Sequence, residues 1–106
     1  MSRQEKLKEL AKEMKEGYKL VKEKKDAEAI EKLRPFIILM RQSQAEQIRL
    51  FVYYSFAQFR TGDIDGFLET YENVKGMSPK NDEEKELKNQ IDDLFINIME
   101  ELKKLQ

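Results

Sequence analysis

Gly62-Asp63 stands between two stretches whose apolar residues recur at helical spacing, and Pro79 follows Asp63 by sixteen residues. Glycine closes a helix by taking the left-handed conformation that other residues resist. Aspartate caps a following helix by accepting the free N–H groups of its first turn. Before the turn come Ile48, Phe51, Val52, Tyr54, Ser55, Phe56 and Phe59, and after it Ile64, Phe67, Leu68, Tyr71 and Val74. This layout predicts two helices joined by a tight turn, which a short connection forces to lie antiparallel. Gly76-Met77-Ser78-Pro79 then ends the second helix, with Pro79 suited to the first position of another. Units of this kind form binding surfaces more often than catalytic sites.

The flanking sequence continues the pattern. Leu7, Leu10, Ala11, Met14, Tyr18 and Val21 place one apolar stripe on a first helix from about Gln4 to Lys24. Gly17 interrupts that stripe and predicts close approach of a neighbouring helix, as does Gly66 in the fourth helix. Asp26 is the expected N-cap of a second helix carrying Ala29, Ile30, Leu33, Phe36, Ile37 and Met40. Pro35 predicts a kink or a break near Arg34, because it removes one backbone hydrogen bond. Ser43 with Glu46 reads as a capping box for the third, central helix. A fifth helix runs to about Lys104, starting after Ser78-Pro79 or, in a second reading, at an Asn81–Glu84 capping box. No segment alternates with period two, so no strand is predicted. The expected fold is all-α, with five antiparallel helices in one domain over residues 1–106.

Composition narrows the chemistry. The chain contains neither Cys nor His. That removes disulfides, thiolate metal sites, the cysteine nucleophile and the usual base for chemistry near neutral pH. The four Gly are scattered singly, so no phosphate-cradling loop is present. The acidic pairs Asp92-Asp93, Glu83-Glu84 and Glu69 with Glu72 read as solvated surface, since adjacent helical positions point in different directions. No enzyme, cofactor or metal is expected. No run of eighteen apolar residues occurs, and the N-terminus reads as a charged helix, so a cytoplasmic protein outside the membrane is expected. Charge is uneven: residues 1–42 carry twelve basic and eight acidic residues, a balance of +4, and residues 43–106 carry −5.

The thirty-four residues from Ile48 to Asn81 resemble the tetratricopeptide repeat (TPR), a two-helix unit of that length. Phe51, Tyr54 and Ser55 fall at its first-helix packing positions, Tyr71 at an aromatic position and Pro79 at the closing proline. Phe67 and Val74 are bulkier than the Ala usual in the family. Ala11 to about Arg41 looks like an earlier unit, with Asp26 matching Asp63 and Gly17-Tyr18 as its packing pair. The resemblance implies an α-α superhelix of TPR-like units with the long fifth helix as a C-terminal cap, and a groove lined by the first helix of each unit.

Carried onto this chain, the groove positions are Lys12, Lys15, Lys19 and Lys22 of the first unit and Arg49, Val52, Phe56, Phe59 and Arg60 of the second. The four lysines also follow steps of three and four, which places them on one helical face whatever the family. That face reads either as an anion-binding row or as ordinary solvated surface. Phe56 and Phe59 read equally as core, and Tyr53 as an interface anchor or as a ring covered by the fifth helix. The expectation is a protein-interaction module, an adaptor or regulatory subunit, for an acidic or mixed acidic-apolar peptide or helix. Two alternatives are a nucleic-acid-associated regulatory bundle, disfavoured by the acidic second half, and a self-associating subunit such as a homodimer.

Overall fold

Each predicted apolar stripe forms a helix in the computed structural model, which describes residues 2–106. The elements are α1 Arg3–Lys22, α2 Asp26–Ser43, α3 Ile48–Arg60, α4 Ile64–Lys75 and α5 Asp82–Lys104. No strand occurs among the described residues, and no helix there is long and apolar enough to cross a membrane. α3 is the centre and touches all four other helices. α1 packs on α2 and α3, α2 on α3, α3 on α4, and α5 on both α3 and α4. One apolar core runs through all five, from Val21 and Leu33 through Phe51, Val52 and Phe67 to Ile91 and Ile98.

The turns show what local sequence decides. Gly62 has φ 83 and Asp63 accepts the Gly66 N–H at 3.0 Å, as their residue types predict. The turn between α1 and α2 repeats this geometry with other residues. Lys24 has φ 60, and the N–H groups of Glu23, Lys24 and Lys25 bond to Lys19, Val21 and Leu20. Those of Thr61, Gly62 and Asp63 bond to Ala57, Phe59 and Gln58 in the same pattern. The two turns therefore superpose at a spacing of thirty-eight residues, with Lys25 opposite Asp63, and not at the thirty-seven that pairs the two aspartates.

This register corrects three expectations about caps. Lys25 occupies the N-cap of α2 with no side-chain bond, and Asp26 is the first helical residue. Ser43 ends α2 instead of starting α3: its hydroxyl donates to the Leu39 carbonyl at 3.0 Å. Glu46 is no partner in a capping box either, since its carboxylate accepts the Ser78 N–H at 2.9 Å and ties the α2–α3 loop to the α4–α5 loop. The α5 start follows the second reading, with Asn81 accepting from the Glu84 N–H at 2.9 Å and Pro79 left outside the helix. Glu84 takes the Lys80 N–H, one residue short of a full reciprocal box.

Pro35 does not break the element, and α2 runs through it. Proline deprives the Glu31 carbonyl of its donor, but Pro35 and Glu31 are both exposed, so water can take the bond. Gly17 is a site of close approach: a Cβ there would lie 2.7 Å from Leu33 Cγ of α2. At Gly66 the crowding comes from the cap carboxylate of Asp63 and from Gln58 Nε2, which would lie 2.7 Å from a Cβ.

Polar side chains join the layers where helices are not in direct contact. Arg41 of α2 donates through Nε to Asn73 Oδ1 at 2.8 Å and through Nη2 to Thr70 Oγ1 at 3.2 Å, both on α4. Thr70, fully buried, donates to Gln58 Oε1 of α3 at 2.7 Å. Among the described residues no buried side-chain N or O lacks a partner, so these polar groups do not carry the penalty of an orphaned bond.

Candidate functional site

α1 and α5 make no contact with each other among the described residues, and α3 lies between them. At packing distances of about 8–10 Å between neighbouring helices, the two outer axes stand no more than about 16–20 Å apart. The strip of α3 that lies between α1 and α5 is the candidate channel.

Its floor is aromatic. Tyr18 of α1 meets Tyr53 of α3 with ring centroids 5.0 Å apart, and Tyr53 meets Phe56 edge-on at 6.1 Å. Tyr53, Phe56 and Phe59 are each half-buried, neither core nor free surface. Phe56 and Phe59 form one side of a hollow of about 470 Å³, completed by Arg60 and by Gln90, Asp93 and Leu94 of α5. Burial pushes the Tyr18 hydroxyl up to about 12, with the nearby Arg49 guanidinium pulling it part of the way back and Tyr53 raising it slightly. The Tyr18 phenol is thus neutral near neutral pH.

The four lysines span an arc of about 80° on α1, at about 100° per residue. Tyr18 marks the face of α1 that looks along the channel, and Lys15 and Lys22 flank it at steps of three and four, hence on that face. Lys22 Nζ sits 5.8 Å from the centre of the Tyr53 ring, a cation–π distance. Lys12 and Lys19 are exposed and stand about 100–120° from Tyr18, against about 40–60° for Lys15 and Lys22 on the same side, at about 100° per residue.

Three expected groove residues are occupied within the chain. Val52 is fully buried, because its side of α3 faces the core. Arg49 is exposed and paired with Glu83 of α5. Arg60 grips Asp26, with Nε 3.0 Å from Oδ2 and Nη2 2.7 Å from Oδ1, and also donates to the Val21 carbonyl at 2.8 Å. One guanidinium thus neutralises a C-terminal carbonyl of α1 and a carboxylate at the start of α2. Asp26 is only 12% exposed in this pair. Replacing Arg60 by Ala is expected to cost about 2 kcal/mol, the range for charged hydrogen bonds in a partly solvated setting. Lys at this position should recover only part, lacking the forked geometry. Urea unfolding with an unchanged slope checks this, and an unshifted midpoint would contradict it.

The acidic pairs are not merely solvated. Asp92 lies beside Tyr71, whose hydroxyl is raised above its ordinary value, chiefly by burial and then by that carboxylate. Glu83 holds Arg49, and Glu69 lies 3.4 Å from Arg41. Sequence reasoning missed the α5 contribution of Gln90, Asp93 and Leu94 to the hollow. The available signal was the three- and four-residue spacing of Glu83, Glu86, Gln90, Asp93 and Asn97, one polar face beside the apolar one. Tyr18, read as a packing residue, is part of the floor. Comparison with family models returns no match, and neither curated proteins nor solved structures match the chain.

Proposed function

We propose that this chain is a tetratricopeptide-repeat-like interaction module that holds an acidic or mixed acidic-apolar peptide or helix of a partner protein in the channel over α3. The observation that carries the reading is the Lys22 ammonium poised over Tyr53, beside Tyr18 and next to the hollow of Phe56 and Phe59. An aromatic floor takes apolar side chains by burial, and the cationic α1 side of it favours carboxylates. The recurrence of one turn geometry at thirty-eight residues supports the repeat reading. So does the way α5 contacts α3 and α4 as α3 contacts α1 and α2. In that arrangement α5 is the capping helix, and the protein serves as a cytoplasmic adaptor or regulatory subunit.

The probe is a fluorescent peptide of alternating Glu and Leu, with a Lys–Leu peptide of equal length as its opposite. The native chain is expected to bind the acidic peptide and not the basic one. The Lys15→Glu, Lys22→Glu double variant should lose at least about tenfold in affinity, or about 1.4 kcal/mol. Both positions are exposed, so the fold should survive, which circular dichroism checks. Equal binding by native and variant protein, or binding to neither peptide, would refute the reading. Strong, steeply salt-dependent retention of duplex DNA would favour the nucleic-acid alternative instead.

A further inference from the structure

The charges along the α3 strip fall into two sets. Those of α3 itself are committed within the chain: Arg49 is paired with Glu83, and Arg60 holds Asp26 and the Val21 carbonyl. Those on the flanking helices are not. On the α1 side Lys15, Lys19 and Lys22 are exposed and have no ion pair among the described residues. Glu16 and Glu23, next to two of them in sequence, turn instead to Lys32 at 3.2 Å and Lys25 at 3.9 Å.

On the α5 side Asp93 lines the hollow with Phe56 and Phe59, exposed and likewise without an ion pair. The one cation lining that hollow, Arg60, already grips Asp26 and leaves Asp93 unanswered. Glu86 stands on the same face of α5, about 20° from Asp93 at about 100° per residue, and is also exposed and unpaired. Lys104 shares the face, but it lies eleven residues beyond Asp93 and pairs with Glu101. No ion pair joins α1 to α5, and the two helices do not touch, so the opposite charges of the two edges do not neutralise each other. The strip thus has an aromatic floor, a cationic edge and an anionic edge. A ligand acidic on both sides would satisfy the first edge and set carboxylate against carboxylate at the second.

We infer that Asp93 sets the charge pattern of the bound segment: the partner protein presents acidic residues to α1 and a Lys or Arg to α5, beside the apolar side chain that enters the Phe56–Phe59 hollow. This deepens the reading of the strip as a peptide channel and rests on it. Asp93 is then a specificity-determining residue, since it selects among acidic-apolar segments the ones that carry a cation next to the anchoring side chain.

The test uses the full chain and three fluorescent peptides of one length and one Leu stripe. Their flanks carry Glu on both sides, Glu on one side and Lys on the other, or Lys on both. At low ionic strength, where exposed pairs are least screened, the native chain should bind the mixed peptide at least about fivefold more tightly than the all-Glu peptide. Asp93→Asn should shrink that preference, and Asp93→Lys should reverse it. Asp93 is exposed, so both variants should fold, which circular dichroism checks. The peptides are the same for every protein, so a reversal cannot arise from differences in their own helicity. Equal binding of the all-Glu and mixed peptides by the native chain would overturn the inference and leave the acidic-peptide reading standing. A preference that neither Asp93 variant alters would do the same. Binding to none of the three, or to the all-Lys peptide as tightly as to the mixed one, would overturn both.

Discussion

Replacing Phe67 by Ala is expected to destabilise this chain by about 4 kcal/mol. Phe67 is fully buried, with Phe59 edge-on at 5.7 Å and Tyr71 stacked at 6.4 Å. Tyr71 in turn stacks on Phe95 of α5 at 4.2 Å, so the ring belongs to an aromatic chain linking α3, α4 and α5. Truncation removes the transfer energy of the ring and leaves a cavity that neighbours from three helices cannot collapse to fill. The structural counterpart at thirty-eight residues' spacing is Ala29, also fully buried, whose N–H bonds to Lys25 as that of Phe67 bonds to Asp63. The two turns thus share a backbone while their side chains differ: Ala29 stands at one, and Phe67 with Phe59 and Tyr71 at the other. Against a total stability of about 5–15 kcal/mol, such a loss should lower Tm by more than about 10 °C. Urea and thermal unfolding followed by circular dichroism decide the matter, and a loss below about 1 kcal/mol would show that the aromatic chain closes over the gap.

Gly17→Ala carries the second large effect, and two terms of opposite sign compete in it. Helix propensity alone favours Ala over a mid-helix Gly by about 1 kcal/mol. Against this, the new methyl would meet Leu33, whose Cγ lies 2.7 Å from the Cβ position and which is itself fully buried. Leu33 cannot swing into solvent, so α1 and α2 must separate or the side chain must leave its rotamer, at a typical cost of 1–3 kcal/mol or somewhat more for overpacking. The clash prevails, and a net loss of about 2 kcal/mol is expected. The diagnostic is a double-mutant cycle: with Leu33→Ala in the background, Gly17→Ala should become neutral or stabilising. Two additive penalties would show that the cost at Gly17 does not come through Leu33.

The caps separate what was legible from what was not. Asp63 and Asn81 cap their helices as their residue types predict, because an N-cap answers to donors two or three residues ahead and needs nothing distant. Asp26 has the same local credentials, but Arg60, thirty-four residues later, takes its carboxylate, and Lys25 becomes the cap residue. Ser43 and Glu46 spell a capping box, yet Glu46 is drawn to Ser78 across the fold and α3 starts only at Ile48. A short polar side chain can serve either neighbour, and local sequence does not say which one arrives.

The candidate channel follows the same division. The lysine spacing was readable because helical periodicity alone puts Lys15 and Lys22 on the Tyr18 face. Which of Val52, Tyr53 and Phe56 faces the core depends on where α1 and α5 stand against α3, and only packing answers that. It buries Val52, half-exposes Tyr53 and Phe56, and commits Arg49 and Arg60 to carboxylates of this same chain. Periodicity, turn chemistry and the lack of Cys and His therefore determined, from sequence alone, five helices, their short antiparallel connections and the absence of His- or Cys-based chemistry. The tertiary structure alone decided the thirty-eight-residue register, the half-buried aromatic strip of α3 and the partners of the paired charges. The physical reason is one of range: helix formation is settled within a few residues, whereas a side chain's exposure, its ion pair and the choice between competing caps are set by whichever element packs against it.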